Sequence, residues 1–311
     1  MKPAPPRSRD RSLHNALVVA KKSVYEIYFV KRLADGVPNP SRPDPRLLKA
    51  FRRSHDVHYG ALVTVQKTLD RMGLRHCTID RKRDIPRGLY DLVVTVGGDG
   101  TFLSAAAQTA DELMLGINSN PEISVGRFCS VTEKEFAAVL RSALEGTAPI
   151  RKLHRMDLWM NGKFTGIRAL NDLLVCHISP PAMSHYKLTV GRRTEDQHSS
   201  GVWIATAAGS TGALQSAGGR PLPLGSNHLE YRPRELYIKH KRGYRLKGGI
   251  VKPGTRFVFH SMMEDGRIFV DGTRAQLSFC HGDVLEVCVS AHPLRVIDSG
   301  RQLEARNLRR S

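Results

Sequence analysis

The chain lacks most features that assign a protein to a class at sight. Its five cysteines (Cys77, Cys129, Cys176, Cys280 and Cys288) are scattered, with no CxxC pair. That pattern argues against a zinc cluster or a disulfide scaffold and fits reduced thiols in a cytosol-like compartment. None of the thirteen histidines falls in an HExxH motif, so a helical metalloprotease site is excluded. The longest apolar runs, such as Leu92 to Val96, are strand-sized, and none approaches a membrane-spanning helix. No GxxxxGK[ST] loop is present, which excludes a Walker-type nucleotide site. Aromatic residues make up 6% and build no stacking platform for nucleic acid.

Acidic residues are also scarce: 29 Asp and Glu face 48 Lys and Arg, a formal charge of +19. An excess of this size attracts polyanions of any kind, so it selects no single partner. Thirteen of the basic residues lie between Met1 and Arg53, and nine more between Arg232 and Arg256. The opening MKPAPPRSRDRSL is basic but has no apolar segment, so it reads as a disordered tail over 1–12 and not as a secretory signal.

What is present is a change of grammar near residue 150. Before it, buried strands alternate with helical spacing. Asn15 to Ala20, Leu92 to Val96 and Met114 to Asn118 read as strands. His58 to Met72, Thr101 to Ala110 and Glu133 to Leu144 read as helices, and the proline-rich stretch Ala34 to Pro45 as a loop. This alternation predicts a parallel, Rossmann-like sheet over residues 1–150. From 151 to 294 short strands dominate, among them Tyr186 to Val190, Val202 to Thr206 and Val284 to Val289, with turns at Asn161-Gly162 and Asp265-Gly266. The expected fold class is α/β plus all-β, with a helix beginning near Ser210.

Four segments carry chemistry. Gly97-Gly-Asp-Gly-Thr101 joins a buried strand to a helix, where glycines let the backbone approach a phosphate and the helix start adds N–H donors. Asp99 in that turn can orient or deprotonate a hydroxyl, or bind Mg²⁺; the plain alternative is a helix N-cap. A second small-residue block, Ser199 to Gly219, offers hydroxyls at Ser210, Thr211 and Ser216 and open space at Gly212. It reads either as the wall of a nucleotide cleft facing the first turn or as small-residue packing. Asn171-Asp172 interrupts an apolar strand, which suits either a base edge and ribose hydroxyls or a backbone-satisfied bulge. Val270-Asp271-Gly272 alone reads as a hairpin turn.

In this order and spacing the four segments resemble the NAD kinase family. The match covers GGDGT at 97–101, Asn-Asp at 171–172, the Gly-Ser-Thr block ending in Ser-Ala-Gly-Gly at 216–219, and Val-Asp-Gly at 270–272. GGDGT is shared with diacylglycerol, sphingosine and 6-phosphofructo-type kinases, and the second block narrows the match. Gly116 to Glu122 and Ser199-Ser200-Gly201 look like the mitochondrial-type branch. The resemblance implies a Rossmann-like first domain, a β-sandwich second domain, and a last segment, 295–311, returning to the first. It also implies a homo-oligomer. The implied activity is transfer of phosphate from ATP with Mg²⁺ to the 2′-hydroxyl of the adenosine ribose of NAD or NADH. Asp99 would be the general base, Gly98 and Gly100 would line phosphates, Asn171 and Asp172 would hold the acceptor, and Thr211, Gly212 and Ser216 would contact its adenosine. No resident metal site, no membrane and no nucleic acid are implied.

The sequence departs from that pattern where most members have Glu at Asp172, an aromatic ring at Ala213 and Asp at Ser200. Losing the ring removes a stacking contact worth about 1 kcal/mol. Two rivals stand beside this reading: a lipid kinase sharing GGDGT, and a non-catalytic nucleotide or nucleic-acid binder using the positive charge.

Overall fold

The computed structural model describes residues 13–31, 44–86, 88–124, 126–237, 243–272 and 275–298. The expected tail (1–12), most of the proline-rich loop, Thr273 and the chain beyond 298 lie outside them. The chain divides into two compact units: one holds residues up to 105, 109–151 and from 295, the other 106–108 and 152–294. The expectation of α/β followed by all-β holds.

The first unit is built on six strands: β1 (Asn15–Ala20), β2 (Arg75–Asp80), β3 (Leu92–Gly97), β4 (Leu113–Asn118), β5 (Ile150–Leu153) and β18 (Leu294–Ile297), in the order β2-β1-β3-β4-β18-β5. β1 pairs in parallel with β2 and β3, and β4 with β3 and β18. β3 and β4 are buried along their whole length, as their unbroken apolar runs require when both faces are covered. Helices α1 (Pro45–Arg71), α2 (Asp99–Ala106) and α3 (Glu133–Leu144) accompany this sheet. Leu62, Val65 and Leu69 of α1 and Phe136 and Leu140 of α3 join its core.

Two helix boundaries differ from the sequence expectation. α1 starts at Pro45, far earlier than His58, because proline is tolerated in a first helical turn and Asp44 caps it by accepting the N–H of Arg46 at 2.8 Å. α2 starts at Asp99 and stops at Ala106. The Gly98 carbonyl already takes the N–H groups of Thr101 and Phe102, and the Glu112 carboxylate draws the N–H of Ala110 away from the helix.

The second unit is a sandwich of two six-stranded antiparallel sheets. One contains β6 (Met156–Met160), β7 (Lys163–Ala169), β9 (Ser184–Val190), β10 (Arg193–Ser199), β14 (Phe257–Ser261) and β17 (Val284–Val289). The other runs β13-β12-β11-β8-β15-β16: β13 (Gly249–Val251), β12 (Leu229–Pro233), β11 (Val202–Ala205), β8 (Asp172–His177), β15 (Gly266–Val270) and β16 (Ala275–Ser278). Alternate residues of both sheets share one core, including Leu158, Tyr186, Phe257 and Val287 of the first and Leu173, Ile204 and Ile268 of the second. The helix expected near Ser210 is only α4 (Ala213–Ser216), because the residues before it form a turn. Among the described residues, no helix is long and apolar enough to cross a membrane.

Candidate functional site

In the first unit the order β2-β1-β3 places the C-terminal ends of β1 and β3 side by side with chain connections leaving in opposite directions. That is the position where open parallel sheets bind ligands. Gly97 to Thr101 follows β3 there. A Cβ on Gly97 would lie 2.4 Å from Thr101 Oγ1, so only glycine fits this turn. Asp99 opens α2 without serving as its N-cap. Its Oδ2 accepts the N–H of Arg127 at 2.9 Å and its Oδ1 that of Phe128 at 2.7 Å. Phe128 in turn stacks on Phe102 of α2, with centroids 5.4 Å apart and planes 12° apart. The carboxylate is therefore aimed by a packed segment, and each oxygen keeps a lone pair.

The surroundings are cationic. A Cβ on Gly100 would lie 3.7 Å from Arg81 Nη1, and the Arg81 carbonyl is fixed by the Ser104 hydroxyl at 2.8 Å. Lys21 is half-buried, and burial first, then the Arg81 charge, pull its pKa below the usual lysine value. Burial also lowers the Arg127 pKa, while the Asp99 charge opposes that shift. A cavity of about 540 Å³ opens beside the ends of β1 and β2, lined by Lys22, Thr78, Asp80, Arg81, Lys82 and Arg83. Asp99, Gly98 and Gly100 were legible as motif residues. Lys21, Arg81 and Arg127 were not, because no spacing rule ties them to the turn.

In the second unit three adjacent strands deliver the other predicted residues to one end of a sheet. β8 begins at Asp172; Ala205, at the end of β11, pairs with Asp172, and Val270, at the end of β15, pairs with Leu173. The segment 170–172 is anchored by Asp271, whose buried carboxylate accepts the N–H groups of Leu170, Asn171 and Asp172 at 3.1, 2.7 and 3.2 Å. Asp271 and Gly272 both have positive φ, +48° and +80°, so the hairpin turn read from sequence is there. The same aspartate also holds the Asn-Asp pair in place, a role that reading missed.

Thr206 ties the small-residue block to the same segment. Its hydroxyl donates to the Leu170 carbonyl at 2.6 Å and accepts the N–H of Ala208 at 3.0 Å. Gly209 then passes so close that a Cβ would sit 2.1 Å from the Asn171 carbonyl oxygen. A Cβ on Gly212 would lie 3.9 Å from Asp172 Oδ2. Asp172 is buried, and burial followed by the Asp271 charge pushes its pKa up to about 6. Asn171 Nδ2 donates to Asp172 Oδ2 at 3.2 Å. The structure thus brings together Asn171, Asp172, Gly212 and the start of α4. Thr211 and Ala213 are half-buried, and Gly212 and Ser216 are exposed.

Ser210, the remaining hydroxyl of the block, lies beneath the turn and not on its surface. It is fully buried, donates to the Ala207 carbonyl at 2.9 Å and accepts the N–H of Leu222 at 2.8 Å. Its hydroxyl is engaged in shaping the turn. Ser200, where the family pattern has an acid, is half-buried and donates its N–H to the Arg234 carbonyl.

A parallel sheet with a Gly-Gly-Asp turn at its switch point, followed by an antiparallel sandwich with an Asn-Asp and glycine-rich corner, defines a two-unit nucleotide-handling architecture. A probable NADH kinase of Oryza sativa subsp. japonica is 31% identical over 278 residues, covering 82% of this chain and 85% of its own. The NADH kinase of Arabidopsis thaliana is 31% identical over 278 residues, covering 81% and 87%. Among solved structures, an NAD kinase from Archaeoglobus fulgidus in complex with ATP matches with a TM-score of 0.65 at 20% identity, over 92% of this chain and 94% of its own. Yeast NADH kinase complexed with NADH matches with a TM-score of 0.69 at 16% identity, over 95% and 86%. These two share the fold. No protein-family model matches the chain. The chain belongs to the NAD kinase family, on the side of its NADH kinase relatives.

Proposed function

We propose that this protein is an NAD(H) kinase: it moves the terminal phosphoryl group of ATP to the 2′-hydroxyl of the adenosine ribose of NAD or NADH, giving NADP or NADPH. Its relatives are named as NADH kinases, and solved structures sharing its fold hold ATP in one case and NADH in another. The observation in this chain that carries the reading is Asp99, a carboxylate fixed by two backbone N–H groups in a glycine turn among Lys21, Arg81 and Arg127. Phosphoryl transfer needs positioning and charge neutralisation more than covalent chemistry, and these groups supply both.

Asp99 is assigned to orient and deprotonate the acceptor hydroxyl, with Gly98 and Gly100 leaving room for phosphate. Mg²⁺ enters with ATP as part of the donor. It takes oxygen ligands, commonly one or two carboxylates plus phosphate oxygens, and Asp99 is a carboxylate in this turn able to serve it. Asn171 and Asp172 are assigned to the acceptor nucleotide, with Thr211, Gly212 and Ser216 beside its adenosine. The lipid-kinase and non-catalytic alternatives give way to family membership. A homo-oligomer, dimer or tetramer, follows the family expectation and is checked by light scattering of the eluted protein. Five free thiols support a reducing, cytoplasm-like location, which fractionation of cells would test.

The deciding assay incubates purified protein with Mg-ATP and NAD or NADH and measures NADP(H) with a specific dehydrogenase. Product formation with one or both acceptors is expected; none with either would overturn the reading.

A further inference from the structure

On the outer face of the first sandwich sheet, three side chains of metal-ligand type converge. β9 and β10 pair so that His185 lies directly opposite His198, and Lys187 opposite Asp196. The two histidines are thirteen positions apart in sequence, and the hairpin register brings them together. Their imidazoles stack with centroids 3.9 Å apart and planes within 16°. Asp196 Oδ1 lies 2.9 Å from His185 Nε2 and 3.8 Å from His198 Nε2. One nitrogen from each histidine and one oxygen of Asp196 all fall within 4.8 Å of one another.

We infer that His185, Asp196 and His198 form a site for a divalent transition-metal ion of the zinc class, distinct from the nucleotide chemistry. Zinc binds imidazole nitrogen and carboxylate oxygen at about 2.0–2.2 Å, so tetrahedral ligand atoms stand about 3.3–3.6 Å apart. The two carboxylate–imidazole separations bracket that spacing. Because the rings stack nearly parallel and His185 is hydrogen-bonded to Asp196, metal binding requires the imidazoles to turn about their side-chain torsions so that both nitrogens face one point, with the strand backbone unchanged. Two nitrogens and one oxygen favour zinc, cobalt, nickel or copper over magnesium or calcium, which take oxygen.

Preorganisation comes from the sheet. β9 is hydrogen-bonded on both sides, to β10 and to β14, so the two histidine backbones are fixed before metal arrives. The His185 carbonyl accepts the N–H of Met262, and the His198 carbonyl that of Tyr237, which pins both positions further. In the next register row Lys187 stands opposite Asp196 and His260 opposite Lys187, and the Lys187 cation opposes metal entry from that side. Three protein ligands leave at least one position for water or a ligand from another molecule.

The test uses the full chain, stripped with chelator, and cobalt(II) as the probe. One equivalent is expected to bind with the intense visible d–d absorption of a low-coordinate nitrogen and oxygen site, and zinc should displace it. His185→Gln and His198→Gln, which keep size and polarity, should each abolish that equivalent without changing the melting temperature or the NADP(H)-forming rate. Asp196→Asn should weaken binding about tenfold or more, since even removal of outer-shell partners costs this much. Zinc should raise the melting temperature of the wild type and leave that of His198→Gln unchanged. Absence of the cobalt band, its survival in the His185→Gln/His198→Gln double variant, or a near-ultraviolet thiolate charge-transfer band lost in Cys280→Ser would each overturn the site. The kinase reading stands or falls on its own assay.

Discussion

Asp172 shows how a binding residue can oppose the fold that holds it. Burial and the neighbouring Asp271 charge raise its pKa to about 6, whereas an unfolded aspartate titrates near about 3.9. The native state therefore binds the extra proton between those values. The stability tied to this carboxyl is complete below about pH 4 and is lost as pH rises through about 6. Two pKa units correspond to about 3 kcal/mol at most, of which on the order of 2 kcal/mol survives relaxation. Asp172→Asn should thus be more stable than wild type in urea at neutral pH, with the gain shrinking toward pH 4. It should also raise KM for NAD(H) about tenfold by removing a charged acceptor from the ribose. A variant no more stable at neutral pH would refute the burial argument. Asp99 makes the opposite case. Asp99→Asn turns one carboxylate oxygen that faces a backbone N–H into a donor, costing about 1–3 kcal/mol of stability, but the main loss is in turnover. A fall in kcat of about a hundredfold or more, in protein that still melts cooperatively, is expected. Wild-type turnover in this variant would remove Asp99 from the mechanism.

At the scale of elements, the corner of β8, β11 and β15 depends on one anion. Asp271 supplies acceptors to three successive N–H groups that have no strand partner at the entry to β8. Asp271→Ala should cost on the order of 3 kcal/mol in a denaturant titration and raise KM for NAD(H) more than KM for ATP, because it frees 170–172. Equal stability of variant and wild type would show that water replaces the carboxylate without loss. This corner also marks how far sequence reading reaches. β1, β3 and β4 were legible because they are buried on both faces and read as unbroken apolar runs. β2 (RHCTID) and β10 (RTEDQHS) were not, since edge positions let polar residues fill a strand. The glycine motifs announced themselves by composition. The capping roles of Thr206, Ser210 and Asp271 did not, because which backbone groups a side chain reaches depends on which segments are adjacent, and that is tertiary information.

At the scale of the whole molecule, the formal charge of +19 has a consequence that no single contact carries. Both proposed substrates are anions, and a strongly basic protein captures anions at long range in proportion to how little salt screens it. Raising ionic strength from about 0.01 M to about 0.15 M shortens the screening length from about 30 Å to about 8 Å. If the charge serves substrate capture, kcat/KM for both ATP and NAD(H) should fall over that range while kcat changes little, because chemistry at Asp99 depends on groups within a few ångströms. The effect should be steeper for ATP, which carries more charge than the dinucleotide. The competing view is that the excess lies mostly in the segments around 1–53 and 232–256 and has no part in catalysis. Under that view kcat/KM would be flat with salt, and replacing Lys22 and Arg83 beside the first-unit cavity by Gln would leave KM for ATP unmoved. Under the capture view the same pair of substitutions should raise it severalfold at low salt, with the difference closing as salt is added.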